Sequence, residues 1–179
     1  MIFIFQSLFA IIAINLLSIN AIDNSKVETI LWKEDSYPTW EDYKGNPQNN
    51  GMVAETSTII EISYGLKKGK VYTSVICAFL PHGSWVKAKQ KSDYILKHEL
   101  LHFDITELNA RKLRKRYAEE IKTEKDYPKI NKIYKEIIAE WQSMQSKYDA
   151  ETNHSINTQQ QAMWNEKIAA ELELMADYK

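Results

Sequence analysis

The sequence predicts an α+β fold in one domain, an N-terminal antiparallel β-sheet followed by a long helix and two further helices. Three observations carry this. Thr56 to Tyr64 and Val71 to Leu80 are β-branched and aromatic runs joined by a glycine-bounded turn, Gly65 to Gly69, which is the pattern of a hairpin. Ser92 to Thr123 contains no Gly and no Pro, so a helix started there meets nothing that ends it. Ile130, Ile133, Ile137, Trp141, Met144 and Tyr148 recur at three- and four-residue steps, the period of one buried helix face.

Taken in order, the first 22 residues carry no charged side chain, and Ile2 to Leu17 is mostly apolar. With Ile19 and Ala21 at the positions a signal peptidase reads, residues 1–21 fit a secretory signal peptide, and an uncleaved N-terminal anchor is the alternative. Either reading exports residues 22–179, placing them in a periplasm or outside the cell with no stable membrane association after cleavage. Val27 to Trp32 reads as a short strand, Thr39 to Gly45 as a segment bounded by Pro38 and Gly45, and Asn46 to Gly51 as a loop. In the hairpin, both faces of Val71 to Leu80 are apolar, which places that strand centrally or under a helix. Pro81 to Trp85 closes a β-rich part, residues 22–90, and a helical part fills 91–179. Ser92 is a good N-cap with Asp93 in the first turn. The basic run Arg111 to Arg116 reads as a solvated helix face. Pro128 opens the second helix. Asp149 to His154 reads as a loop, and Trp164, Ile168, Leu172 and Met175 mark one side of a third helix.

Composition narrows the function classes. The chain of 179 residues is 44% hydrophobic and 26% charged, with net charge −1, so no bulk charge points to nucleic acid. Cys77 is the only cysteine, which leaves no intrachain disulfide.

The chemistry concentrates in Lys97-His98-Glu99-Leu100-Leu101-His102-Phe103-Asp104. Residues four apart on a helix differ by about 400°, so His98 and His102 stack one turn apart on one face. Two imidazoles placed that way can hold a zinc ion, with Glu99 beside them as general base for a water. A third ligand is needed. Asp104 and Glu107 lie about 240° and 180° round an unbroken helix from His98, so neither can reach the metal. Glu136, Glu140 and His154 remain as candidates. His82 precedes the helix in a turn, and Tyr148 or His82 could steady an oxyanion.

These residues, with Thr39-Trp40-Glu41-Asp42-Tyr43, Ser84-Trp85-Val86, Tyr148 to His154, Gln160 and Trp164, resemble a bacterial family described as secreted zinc-dependent proteases and long catalogued as a domain of unknown function. The resemblance runs over almost all of residues 22–179. It implies a zincin-like fold, His98 and His102 as zinc ligands, Glu99 as the catalytic residue and His154 as the third ligand. Ser155 stands where the family often has Gly, and Leu100 where Gln is common. The expected function is an exported zinc metallopeptidase acting on a peptide or protein substrate. The alternative is an exported zinc-binding protein that serves as an interaction module of the cell envelope without turnover.

Overall fold

The computed structural model describes residues 27–179. The signal-peptide reading of residues 1–21 lies outside them. Architecture follows the expected order: an antiparallel sheet first, then three helices.

Strands β3 (Thr58–Lys67) and β4 (Lys70–Phe79) form a ten-residue antiparallel ladder from Thr58↔Phe79 to Lys67↔Lys70. The turn is tighter than the glycine spacing suggests. Lys68 and Gly69 alone make it, both at positive φ, the backbone twist that two-residue hairpins require. Gly65 is drawn into β3 opposite Tyr72, whose ring a Cβ at this position would meet at 3.0 Å. Strand β1 (Ile30–Leu31) pairs with the other edge of β4, so the sheet order is β1-β4-β3 and the doubly apolar strand is central. Strands β2 (Ala54–Glu55) and β5 (Trp85–Val86) form a separate antiparallel pair. Between β1 and β2, Trp40–Asp42 is a 3-10 turn held by a Thr39 capping box.

Helix α1 (Asp93–Glu120) starts where Ser92 Oγ accepts from the Ile95 amide at 3.2 Å. It is buried on several sides. Towards the sheet, Phe103 meets Phe79, their ring centroids 6.0 Å apart, within a cluster that includes Ile60, Cys77, Leu113 and Tyr117. Towards helices α2 (Tyr127–Thr152) and α3 (Thr158–Leu174), Leu101, Ile105 and Leu108 pack with Tyr148, Trp164 and Ile168. The α2 stripe Ile130, Ile133 and Ile137 completes the sheet-side core.

Two expectations change. Helix α2 runs on through Asp149 to Thr152 and ends only where Asn153 turns left-handed as its C-cap, so Asp149 sits on a helix. The basic run divides as well. Arg116 and Lys112 pair across to Glu136 and Glu140 at the surface. Arg111, by contrast, is 1% exposed and donates through Nε to buried Glu107 at 2.9 Å, while Arg114 Nη1 reaches the same carboxylate at 2.8 Å. Both guanidiniums then continue to backbone carbonyls, Arg111 to Leu172 and Arg114 to Val75 and Tyr178. A helix covered by a sheet and two other helices has no fully solvated face at that level, and charges there persist by pairing.

Leu113 is wholly buried in the sheet-side cluster, far along α1 from the histidines. Leu113→Ala is expected to destabilise the fold by about 2–5 kcal/mol. In urea unfolding it should lower the midpoint with an unchanged slope, and a loss below about 1 kcal/mol would contradict this packing.

Candidate metal centre

His98, Glu99 and His102 all lie in the second and third turns of α1, where the helix is enclosed, and each is buried. The helical spacing does what the sequence implies. The two imidazole rings stand 5.1 Å apart, centre to centre, with planes at 89°.

From α2, Asp149 aims its carboxylate at both. Its Oδ1 lies 3.0 Å from His102 Nε2 and 3.5 Å from His98 Nε2. One ligand atom from each of His98, His102 and Asp149 falls within 4.8 Å of the others, so this triad could hold a metal ion. The other nitrogens are already engaged. His98 Nδ1 is 2.7 Å from Gln161 Oε1, and His102 Nδ1 is 2.6 Å from Gln145 Oε1. The amide orientations are set by what their NH2 groups do. Gln145 Nε2 donates to the His102 carbonyl at 2.9 Å and to Thr106 Oγ1 at 3.2 Å, and Gln161 Nε2 donates to Asn165 Oδ1 at 2.9 Å. Each glutamine therefore presents an acceptor, which puts a proton on each Nδ1 and points each Nε2 at Asp149. Tyr148 stacks on His98 and donates to Gln161 Oε1 at 2.7 Å, locking the ring from behind.

Charge follows the geometry. Burial alone would lower the His102 pKa, but the facing Asp149 carboxylate outweighs it and the pKa is raised to about 9. Asp149 is depressed well below the usual carboxylate range: burial opposes ionisation, and the two histidines overcome it. The pair is thus a proton held between a base and an acid, and a cation at the same place would displace that proton.

Glu99 is held separately. Thr56 Oγ1 donates to its Oε2 at 2.7 Å, and the Tyr43 hydroxyl supplies Thr56 in turn at 2.8 Å. Among the described residues no donor reaches Glu99 Oε1. A second carboxylate, Glu55 on β2, is fixed by the Trp85 indole at 2.9 Å, and its pKa is raised by burial and by the charge of Glu99.

The remaining expected residues are placed as follows. His154 lies just past α2, mostly exposed, with Nδ1 3.8 Å from Asp149 Oδ1. It stands beside the carboxylate of the triad, not within it. Glu136 and Glu140 are engaged at the surface by Arg116 and Lys112. His82 is exposed against Glu28. Tyr148 addresses the Nδ1 side of His98, away from Asp149. Asp149, Gln145, Gln161, Thr56 and Tyr43 are the contacts of the candidate site that sequence reasoning did not assign. For two of them a signal existed: Gln145 and Asp149 are four apart and extend the α2 line from Trp141, visible once the helix is carried beyond Tyr148.

A family model described as a bacterial protein of unknown function, DUF922, matches residues 35–155. The chain belongs to this family. The match spans His98, Glu99, His102, Asp149 and His154 and stops before α3, so Gln161 lies outside it. DUF922 carries no activity in its description. Neither a curated protein nor a solved structure matches the chain.

If Asp149 completes the triad, Asp149→Asn should reduce bound metal by at least tenfold in affinity, while His154→Ala should leave stoichiometric binding. Metal analysis of the two purified variants after dialysis checks this. Loss of metal in His154→Ala with retention in Asp149→Asn would exchange the two roles.

Proposed function

We propose that this DUF922 protein is an exported zinc-dependent metallopeptidase. The observation that carries the reading is the convergence of two imidazole nitrogens and one carboxylate oxygen beside a separately anchored glutamate. The donor set fits zinc: two neutral imidazoles with their far nitrogens hydrogen-bonded, plus one carboxylate, correspond in type to the three-ligand sets of catalytic sites. Bound there, zinc would supply an activated water and polarise a substrate carbonyl. The order of strands and helices is compatible with a zincin-like arrangement, in which the helix bearing both histidines is packed against a sheet.

The chain's own groups divide the remaining work. Thr56 ties down one oxygen of Glu99, leaving Oε1 to take a proton from water and return it to the leaving amine. Tyr43 keeps the Thr56 hydroxyl directed at Glu99. Gln145 and Gln161 prevent the imidazoles from turning. Asp149 contributes the negative charge that a divalent ion requires. Tyr148, committed behind His98, acts on ring position and not on the oxyanion. Export is supported by the uncharged apolar N-terminus. No helix among the described residues is long and apolar enough to cross a membrane.

Glu99→Gln separates chemistry from binding. The variant is expected to keep stoichiometric zinc and to lose peptide hydrolysis by about 100-fold or more, the scale of a general base. Zinc retained by a wild-type protein that cleaves nothing in a diverse peptide library would favour the binding-module reading.

A further inference from the structure

Strand β3 has β4 on one side and, among the described residues, no strand on the other. Which of its backbone groups face that open edge follows from the hairpin. Lys67 and Lys70 close a two-residue turn, so they are a hydrogen-bonded pair, and bonded pairs alternate along an antiparallel ladder. Ile60 and Cys77 are therefore an unbonded pair. Two contacts agree: the Cys77 carbonyl accepts from the Trp32 amide on the β1 side, and the Ile60 carbonyl accepts from the Tyr134 hydroxyl at 3.3 Å. By the same alternation Ile62, Tyr64 and Leu66 turn their N–H and C=O groups to the open edge. Among the described residues nothing pairs with those groups.

The side chains at this edge are equally unfinished. Ile62, Tyr64 and Leu66 share the face that carries Ile60, since direction alternates along a strand. Ile60 lies in the core, whereas Tyr64 and Leu66 are 41% and 45% exposed. The opposite face carries Glu61, Ser63, Gly65 and Lys67. Glu61 and Lys67 are exposed, and neither has an ion-pair partner among the described residues.

These features complement themselves. When β3 pairs antiparallel with β3 of a second copy, centred on Tyr64, Ile62 falls opposite Leu66 and Tyr64 opposite Tyr64. All of these rungs join residues whose backbone groups point to the edge, so the hydrogen bonds form without a shift of register. On the other face Glu61 falls opposite Lys67 of the second copy, and Ser63 opposite Gly65. The two-fold axis repeats each pair. An edge lysine ordinarily discourages pairing, but this register brings it a carboxylate. A slip of two residues either way puts Gly65 opposite Glu61 or Ser63 opposite Lys67, and both ion pairs are lost. Lys68 and Lys70, also exposed at the apex, lie outside these rungs.

We propose that β3 is the interface of a two-fold homodimer, in which two copies pair these edges and join their three-stranded sheets. The interface is separate from the metal centre and does not rest on the peptidase reading. Sedimentation equilibrium of the purified chain over a concentration series tests it. Wild type is expected to dimerise reversibly. Glu61→Lys and Lys67→Glu should each weaken the dimer by about tenfold or more, because the two-fold axis doubles each repulsion. Both positions are exposed, so the unfolding midpoints of these variants should not move. Glu61→Lys/Lys67→Glu, which exchanges the two charges, should restore the dimer. With oxidised glutathione, Tyr64→Cys should form a disulfide-linked dimer, since bonded partners stand about 5.5 Å apart between Cα atoms. Tyr72→Cys, on β4, should not. A chain that stays monomeric throughout, charge variants that dimerise as wild type does, failure of the exchanged pair to restore the dimer, or equal cross-linking at the two cysteine positions would each overturn the proposal.

Discussion

Two hydrogen bonds, from His98 Nδ1 to Gln161 and from His102 Nδ1 to Gln145, set the conditions for everything else at the candidate metal centre. An imidazole on a helix can turn about its side-chain bonds and can carry its proton on either nitrogen. The glutamine acceptors remove both freedoms at once. They also come from different helices, Gln145 from α2 and Gln161 from α3. The same contacts that orient the rings therefore bind α1 to both of its helical neighbours. The geometry of the two imidazoles and the packing of the helices are one arrangement, and neither can relax without the other.

Helix α1 is accordingly the centre of the described fold as well as of its candidate site. Its sheet side builds the larger core, and its helical side holds the smaller one around Tyr148 and Trp164. Further along, the Glu107–Arg111–Arg114 cluster ties α1 to the carbonyls of Val75, Leu172 and Tyr178. Buried ionic groups add little net stability when compared with apolar replacements, but removing one partner leaves a stranded charge. That cluster thus fixes how the end of α3 and the final turn sit against α1. It also leaves Arg111 Nη2 buried without an acceptor among the described residues.

Much of the fold was legible because it rests on period and punctuation. Ser92, the absence of Gly and Pro in α1, and the six-residue α2 stripe each have a local physical meaning, and all hold in the structure. What was not legible depended on where elements end and what lies across from them. Placing Asp149 in a loop followed from the polar run after Tyr148, but the left-handed conformation of Asn153 lets α2 continue one more turn and turns that carboxylate inward. His154, expected as third ligand from family resemblance, then falls just outside the triad beside the carboxylate that faces both histidines. Arg111 read as solvated because it opens a basic run towards the end of the helix, yet three layers meet at its level. Thr56 and Tyr43 could not have been found by spacing, since they reach Glu99 only through sheet-to-helix packing.

The central claim is that α1 and α2 together present two Nε2 atoms and one Asp149 oxygen to a zinc ion. X-ray absorption at the zinc edge of the metal-loaded protein measures this most directly. The account predicts two nitrogen scatterers with imidazole outer-shell features and at least one carboxylate oxygen, at about 2.0–2.2 Å, and a spectrum that changes in Asp149→Asn but not in His154→Ala. A three-imidazole spectrum that changes in His154→Ala and survives Asp149→Asn would contradict it.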